Sequence, residues 1–174
     1  MQIVIRAGVA DDATVLAAIA ERTFRDTFAG DNKPADMGVY CASSYAPEIQ
    51  RRELIDASVR TLVAVDAKGE LVAYAQLRDA NPPCGPVPPP AIELWRFYVD
   101  SSHHGTGLAQ RLMEAVMAEA RARRAASLWL GVWERNLRAQ AFYRKAGFVD
   151  IGAQQFRVGS DVQTDRVMAR AVHR

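Results

Sequence analysis

The sequence predicts an α/β (α+β) fold, a mixed central sheet of about seven strands with helices on both faces, in a single domain spanning residues 1–174. Three observations carry this expectation. Short apolar runs alternate with stretches of helical periodicity along the whole chain. The run Ala91–Val99, a helical stretch over 107–124 and the run Ser127–Trp133 form a β-α-β unit, and a right-handed crossover makes its two strands parallel. A length of 174 residues with 49% hydrophobic content suits one sizeable core.

Each element has its own signal. Residues 2–6 read as an opening strand. Asp11 or Asp12 is placed to cap a helix whose apolar positions Val15, Leu16, Ile19, Phe24 and Phe28 fall at helical spacing, and which ends near Gly30. Residues 33–56 form a second helical region broken by Pro47, with Met37, Tyr40 and Cys41 before the break and Ile49, Leu54 and Ile55 after it. Such an insertion suits the wall of a pocket. Residues 61–65 and 71–77 pair antiparallel through D-A-K-G, where Gly69 supplies the positive φ of a tight turn. Residues 81–90 hold six of the eight prolines and read as an exposed connection. A short helix ends at Gly147, and 148–156 and 162–171 are strands separated by V-G-S-D.

Composition narrows the function classes. With 22 basic and 20 acidic residues the net charge is +2, and no basic recognition helix is present, so direct nucleic-acid binding finds no support. The N-terminal apolar stretch is too brief for a leader or a membrane span, so a soluble protein is expected. Cys41 and Cys84 lie far apart without metal-ligand spacing, which suits a reducing cytoplasm, and no metal site is expected.

The chemistry starts at D-S-S-H-H-G-T-G-L-A-Q, residues 100–110. It follows an apolar strand and leads into an amphipathic helix. Gly105 and Gly107 allow a tight turn and close approach of a ligand to the backbone, while free N–H groups and the helix dipole favour an anion such as a pyrophosphate. No lysine and hydroxyl pair follows G-T-G, which excludes a Walker-type nucleotide site.

The element order and His104, Gly105, Thr106, Gly107, Leu108, Ala109 resemble the GCN5-related N-acetyltransferase superfamily, whose pyrophosphate signature places Gln or Arg where this chain has His104. T-F-R-D-T-F-A at 23–29, E-L-W-R-F-Y-V at 93–99, L-W-L-G-V-W-E-R-N at 128–136 and V-G-S-D-V-Q-T-D-R-V-M-A-R at 158–170 further resemble the PaiA-type spermidine/spermine N-acetyltransferases. The resemblance implies a sheet splayed between its two parallel strands, acetyl-CoA as acetyl donor, and the primary amine of a polyamine as acceptor. Backbone groups of Phe97, Tyr98 and Val99 would pair with the pantetheine arm and face the thioester carbonyl. The turn, with side-chain donors from His104, Thr106 and Gln110, would take the pyrophosphate. Asn136 would contact the cofactor or cap the next helix, and Arg138 is a weaker phosphate candidate. Tyr143, in F-Y-x-x-x-G-F, would protonate the leaving thiolate.

The general base is open. Some relatives carry a carboxylate where this chain has Gly131, leaving Glu93, Glu134 or a water-mediated route, and either carboxylate could equally serve as an ion-pair partner. For the amine, Asp26, Asp36, Glu48 and Glu53 are available, and Trp95, Trp133 and Tyr40 offer ring faces. Other acceptors would be a protein N-terminus, an amino acid or a drug amine. A non-catalytic acyl-CoA-binding regulatory module is a further reading, and the exposed ends of the last strands could pair across a homodimer axis.

Overall fold

The computed structural model describes residues 3–173. Strand β1 (Val4–Ala7) is followed by helix α1 (Ala13–Phe28), α2 (Pro34–Tyr45) and α3 (Pro47–Ile55). Gln2, expected to open β1, lies outside the described residues. Pro34 and Pro47 each stand at the first turn of their helix, where a missing N–H costs nothing, so Pro47 ends one helix by starting the next. Strands β2 (Val59–Val65), β3 (Leu71–Asp79) and β4 (Ala91–Val99) form an antiparallel meander, with Gly69 at φ +84° in the first turn. Then come α4 (Leu108–Ala122), β5 (Ser127–Trp133), α5 (Leu137–Lys145), β6 (Val149–Val158) and β7 (Asp161–Ala171).

The seven strands form one sheet in the order β1-β2-β3-β4-β5-β7-β6. Its edges are therefore β1 and β6, and β7 is interior. Strands β4 and β5 are parallel, but they pair only at Ala91 with Ser127, Ile92 with Leu128 and Glu93 with Trp129. Beyond Glu93 the two strands share no further pairs, although β4 stays bound to β3 through Val99 and β5 to β7 through Trp133. The sheet is thus split by a wedge at its middle. A bulge at Trp95, between the pairs Leu77–Leu94 and Gln76–Arg96, kinks β4 where the wedge begins.

Helices cover both faces. On one, Leu108, Leu112, Val116 and Met117 of α4 and Tyr143 of α5 pack on Ile92, Leu94, Leu128 and Leu130. On the other, Leu16, Ile19, Phe24 and Phe28 of α1 and Met37, Cys41 and Tyr45 of α2 pack on Val63, Tyr74 and Trp133.

Some expectations change. Val15 and Ile55 are exposed and lie off the apolar stripes of their helices. Asp12 does not cap α1 with its side chain; it accepts from Arg6 at 2.7 and 2.8 Å and from the Val9 N–H at 2.8 Å. The proline-rich connection is also more than an exposed loop. Trp129 Nε1 donates to Ala80 O at 2.7 Å, and Cys84 and Val87 pack beside Trp129, Val167 and Ala169 at the paired end of the wedge.

Candidate active site

Directly after β4, Asp100 accepts from the Ser102 N–H and hydroxyl and pairs with Arg22 of α1. These partners, Ser102 first, hold its carboxyl down at about 2 and pin the start of the turn. Gly105 and Gly107 take φ +76° and +84°, and α4 begins with no side-chain cap. Its first N–H groups therefore remain available to a ligand. Leu108 points into the core and Ala109 is partly covered, so both can offer only backbone. The expected side-chain donors are already engaged: Thr106 Oγ1 donates to His103 O at 2.7 Å and Gln110 Nε2 to Glu114 at 3.3 Å.

His104 is engaged as well. Its Nε2 lies 2.9 Å from Val99 O, which accepts the ring proton, and its Nδ1 then accepts from Arg138 at 3.2 Å. The ring cannot donate to a phosphate in this arrangement. Arg138, from α5, instead places a permanent cation beside the turn, in the neighbourhood where the superfamily signature has Gln or Arg.

The wedge supplies open backbone. Asp100 N–H donates to Val72 O at 2.9 Å. By the alternation of an antiparallel ladder, the Tyr98 backbone groups also turn to β3, and those of Phe97 and Val99 turn toward β5. Tyr98 is thus unavailable to a ligand in the wedge, and the Val99 carbonyl is held by His104.

Asn136, at the end of β5, caps α5 by accepting from Ala139 N–H at 3.1 Å. Two turns on, Tyr143 lies in an aromatic cluster with ring centroids 6.2 Å from Phe97, 5.5 Å from Phe142 and 5.7 Å from Phe148. Burial alone raises its phenol above the ordinary tyrosine value.

The face under α1 and α2 is polar at the wedge. Glu93, in the last β4–β5 pair, is buried and ion-paired with Arg78 of β3. Arg96, only 6% exposed, donates to Glu53 at 2.6 Å and Gln76 at 2.7 Å, and its guanidinium lies 3.8 Å from the Trp95 ring, with Arg78 against the same ring at 4.1 Å. Sequence reasoning missed this network, because nothing local marks an arginine as buried. Of the proposed amine-binding carboxylates, Glu53 belongs to it, Asp36 holds Ser160 N–H and hydroxyl, and Asp26 and Glu48 are exposed. Tyr40 stacks on Phe24 at 4.5 Å.

A different set of acids gathers at the open end of β5. A hollow of about 130 Å³ is lined by Asp31, Trp133, Glu134, Arg135, Asp161 and Gln163, and Arg135 lies 3.7 Å from Asp31. A larger hollow of about 310 Å³ between the starts of α1 and α3 has no residue from β4, β5, α5 or the glycine turn. Among the described residues, no three His, Cys, Asp or Glu side chains are grouped to hold a metal, and no helix is long and apolar enough to cross a membrane.

A sheet wedged open between parallel strands, with an uncapped, glycine-opened helix start at its mouth and a buried phenol beside it, defines an acyl-CoA-dependent transferase site. The profile of the acetyltransferase (GNAT) family matches residues 21–148, and the chain belongs to that family as an acetyl-CoA-dependent N-acetyltransferase. An uncharacterised N-acetyltransferase of Lactobacillus delbrueckii subsp. lactis is 32% identical over 162 residues, covering 92% of each chain. Another, from Mycobacterium tuberculosis, is 34% identical over 164 residues, covering 91% of this chain and 97% of its own. Among solved structures, the PaiA N-acetyltransferase of Thermoplasma acidophilum in complex with coenzyme A superimposes with a TM-score of 0.79 at 19% identity, over 98% of this chain and 99% of that one. The ribosomal-protein-S18-alanine N-acetyltransferase of Escherichia coli gives 0.72 at 18%, over 99% and 96%.

Proposed function

We propose that this protein moves the acetyl group of acetyl-CoA to a primary amine of a polyamine such as spermidine or spermine, by direct attack within a ternary complex. The carrying observation is the hollow at the open end of β5, where Asp31, Glu134 and Asp161 face one arginine that is itself close to Asp31. Such a surplus of carboxylates suits an elongated polycation and disfavours an acidic or neutral acceptor. The fold shared with a PaiA N-acetyltransferase is consistent with this reading.

The donor brings the thioester to the wedge. The backbone N–H groups of Gly105 and of residues 107–110, with Arg138, are suited to its pyrophosphate. The wedge-facing groups of Phe97 and the Val99 N–H are suited to its amide arm, and one of these N–H groups to the carbonyl oxygen as it gains charge. Asn136 contributes from the α5 cap. Tyr143, which burial keeps protonated, hands its proton to the departing thiolate. Glu93, tied to Arg78, braces β4 against β3 beside the last β4–β5 pair.

An amine panel read by thiol release tests the acceptor. Spermidine and spermine should exceed monoamines of similar length by roughly tenfold or more in kcat/KM, since each ion pair with a carboxylate adds on the order of 1 kcal/mol. Turnover confined to peptide N-termini would reject the polyamine assignment.

A further inference from the structure

We propose that Asp165 of β7 accepts the proton of the attacking amine, standing in for the side chain that Gly131 lacks. The inference rests on the amine-acetylating reading above. Its basis is geometric. Gly131 lies in the stretch of β5 that borders the wedge, two residues past the last pair with β4. Trp129, Gly131 and Trp133 face the same side by strand alternation, the side on which Trp133 meets α1. Asp165 is the cross-strand partner of Trp133 and therefore shares that face. A Cβ built on residue 131 would stand 3.2 Å from Asp165 Oδ2 and 2.5 Å from Gln154 Nε2. The absence of a side chain at 131 leaves the neighbouring strand's carboxylate room over β5, toward the wedge.

This carboxylate has no structural employment that explains its burial. Asp165 is 8% exposed, and Oδ1 has no hydrogen-bond partner among the described residues. Buried carboxylates without a donor are costly and need a reason. Gln163, two residues earlier on the same face and lining the acidic hollow, likewise leaves Oε1 buried without a partner. Two unsatisfied acceptors that face the amine side of the wedge are what an incoming N–H donor requires.

The charged surroundings agree. Glu134 lies at the end of β5, Asp161 at the start of β7, and Asp31 after α1, with Arg135 near Asp31. From β6 comes the neutral Gln154, while Arg166, on the opposite face of β7, is paired with Asp150. Burial first, and Glu134 second, push the Asp165 carboxyl up to about 6. At neutral pH it is ionised yet basic enough to accept a proton.

The proton balance closes across the sheet. The neutral amine nitrogen forms a bond to the acetyl carbonyl carbon, the carbon–sulfur bond breaks, and the electron pair leaves on sulfur. The nitrogen's proton passes to Asp165 on the α1 face, and Tyr143 on the α5 face protonates the thiolate. Solvent then takes the proton from Asp165 and restores the phenol.

The test is Asp165→Asn, assayed with whichever amine the wild type turns over best, so that polyamine identity and proton acceptor are judged separately. The expected result is a loss of kcat of about 100-fold or more, CoA affinity by calorimetry within about twofold, and absence of the acid limb near pH 6 that the wild type should give in kcat/KM. Turnover within about threefold of wild type overturns the proposal, as does a large loss with the acid limb unmoved. Should Asp165→Asn not fold, the wild-type Asp165 carboxyl carbon is followed by NMR with the CoA-loaded protein. Its titration midpoint should fall when the amine is added, and a midpoint indifferent to amine overturns the assignment.

Discussion

Under the proposed mechanism, Tyr143 would serve packing and chemistry with different atoms. Its ring touches Phe97, Phe142 and Phe148, so the aromatic cluster depends on the ring, whereas the proposed proton delivery would depend on the hydroxyl alone. Tyr143→Phe keeps the ring. It should retain the fold and hold CoA affinity within about twofold, while kcat, read by thiol release, falls by about 10²- to 10⁴-fold. An unchanged kcat would leave the phenol a packing residue only. Because burial raises this phenol, it should give no basic limb to the pH profile below its ordinary titration range. At this scale the sequence was legible where structure has a local pattern: G-T-G marks the positive-φ turn before α4, and F-Y-x-x-x-G-F marks the end of α5 that carries Tyr143. It was not legible where partners are remote. Arg138 meets His104 across 34 residues, Arg96 meets Glu53 across 43, and Asp165 becomes notable only beside Gly131 on the next strand.

Among the elements, the join between β4 and α4 depends on backbone conformation. Gly107 stands at φ +84°, immediately before α4, and a Cβ there would meet nothing within 4 Å. The demand for glycine is therefore conformational and not steric. Gly107→Ala should cost about 1–2 kcal/mol through the left-handed backbone and lower Tm by roughly 2–8 °C. Relaxation of the turn would re-aim the N–H groups of Leu108 and Ala109, so CoA affinity should drop by about tenfold or more in calorimetry. A loss of Tm without a loss of affinity would separate the turn from the donor. The apolar runs of β4 and β5 read from the sequence coincide with the observed strands, because both are bounded sharply by prolines, polar residues and turns. Helix faces were harder. Val15 sits next to buried Leu16 and Ile55 next to half-buried Leu54, and periodicity alone does not fix which edge of a stripe meets the sheet. The wedge was legible only through family resemblance, since β4 and β5 are both apolar to their ends and no residue pattern says where pairing stops.

For the whole molecule, a base held in a buried site lowers stability for the sake of reactivity, and Asp165 makes that trade measurable. Its folded carboxyl sits at about 6, above the ordinary aspartate value of 3.8. The folded state therefore holds a proton more tightly than the unfolded chain between those two values, and stability falls as pH rises through that window. Below about pH 4 both states are protonated and the side chain resembles a neutral amide. Above about pH 6 the folded protein carries a desolvated charge beside Glu134, at a cost on the order of 1–3 kcal/mol. Asp165→Asn, which removes the charge and keeps the shape, should consequently raise Tm at pH 7.5 by roughly 2–10 °C while it lowers turnover. The gap should shrink through pH 6 to 4 and vanish below. A carboxylate that stabilised the fold through hidden partners would give the opposite sign, a lower Tm at pH 7.5, so scanning calorimetry of the two proteins across pH distinguishes a strained functional group from a structural one without any acceptor in the assay.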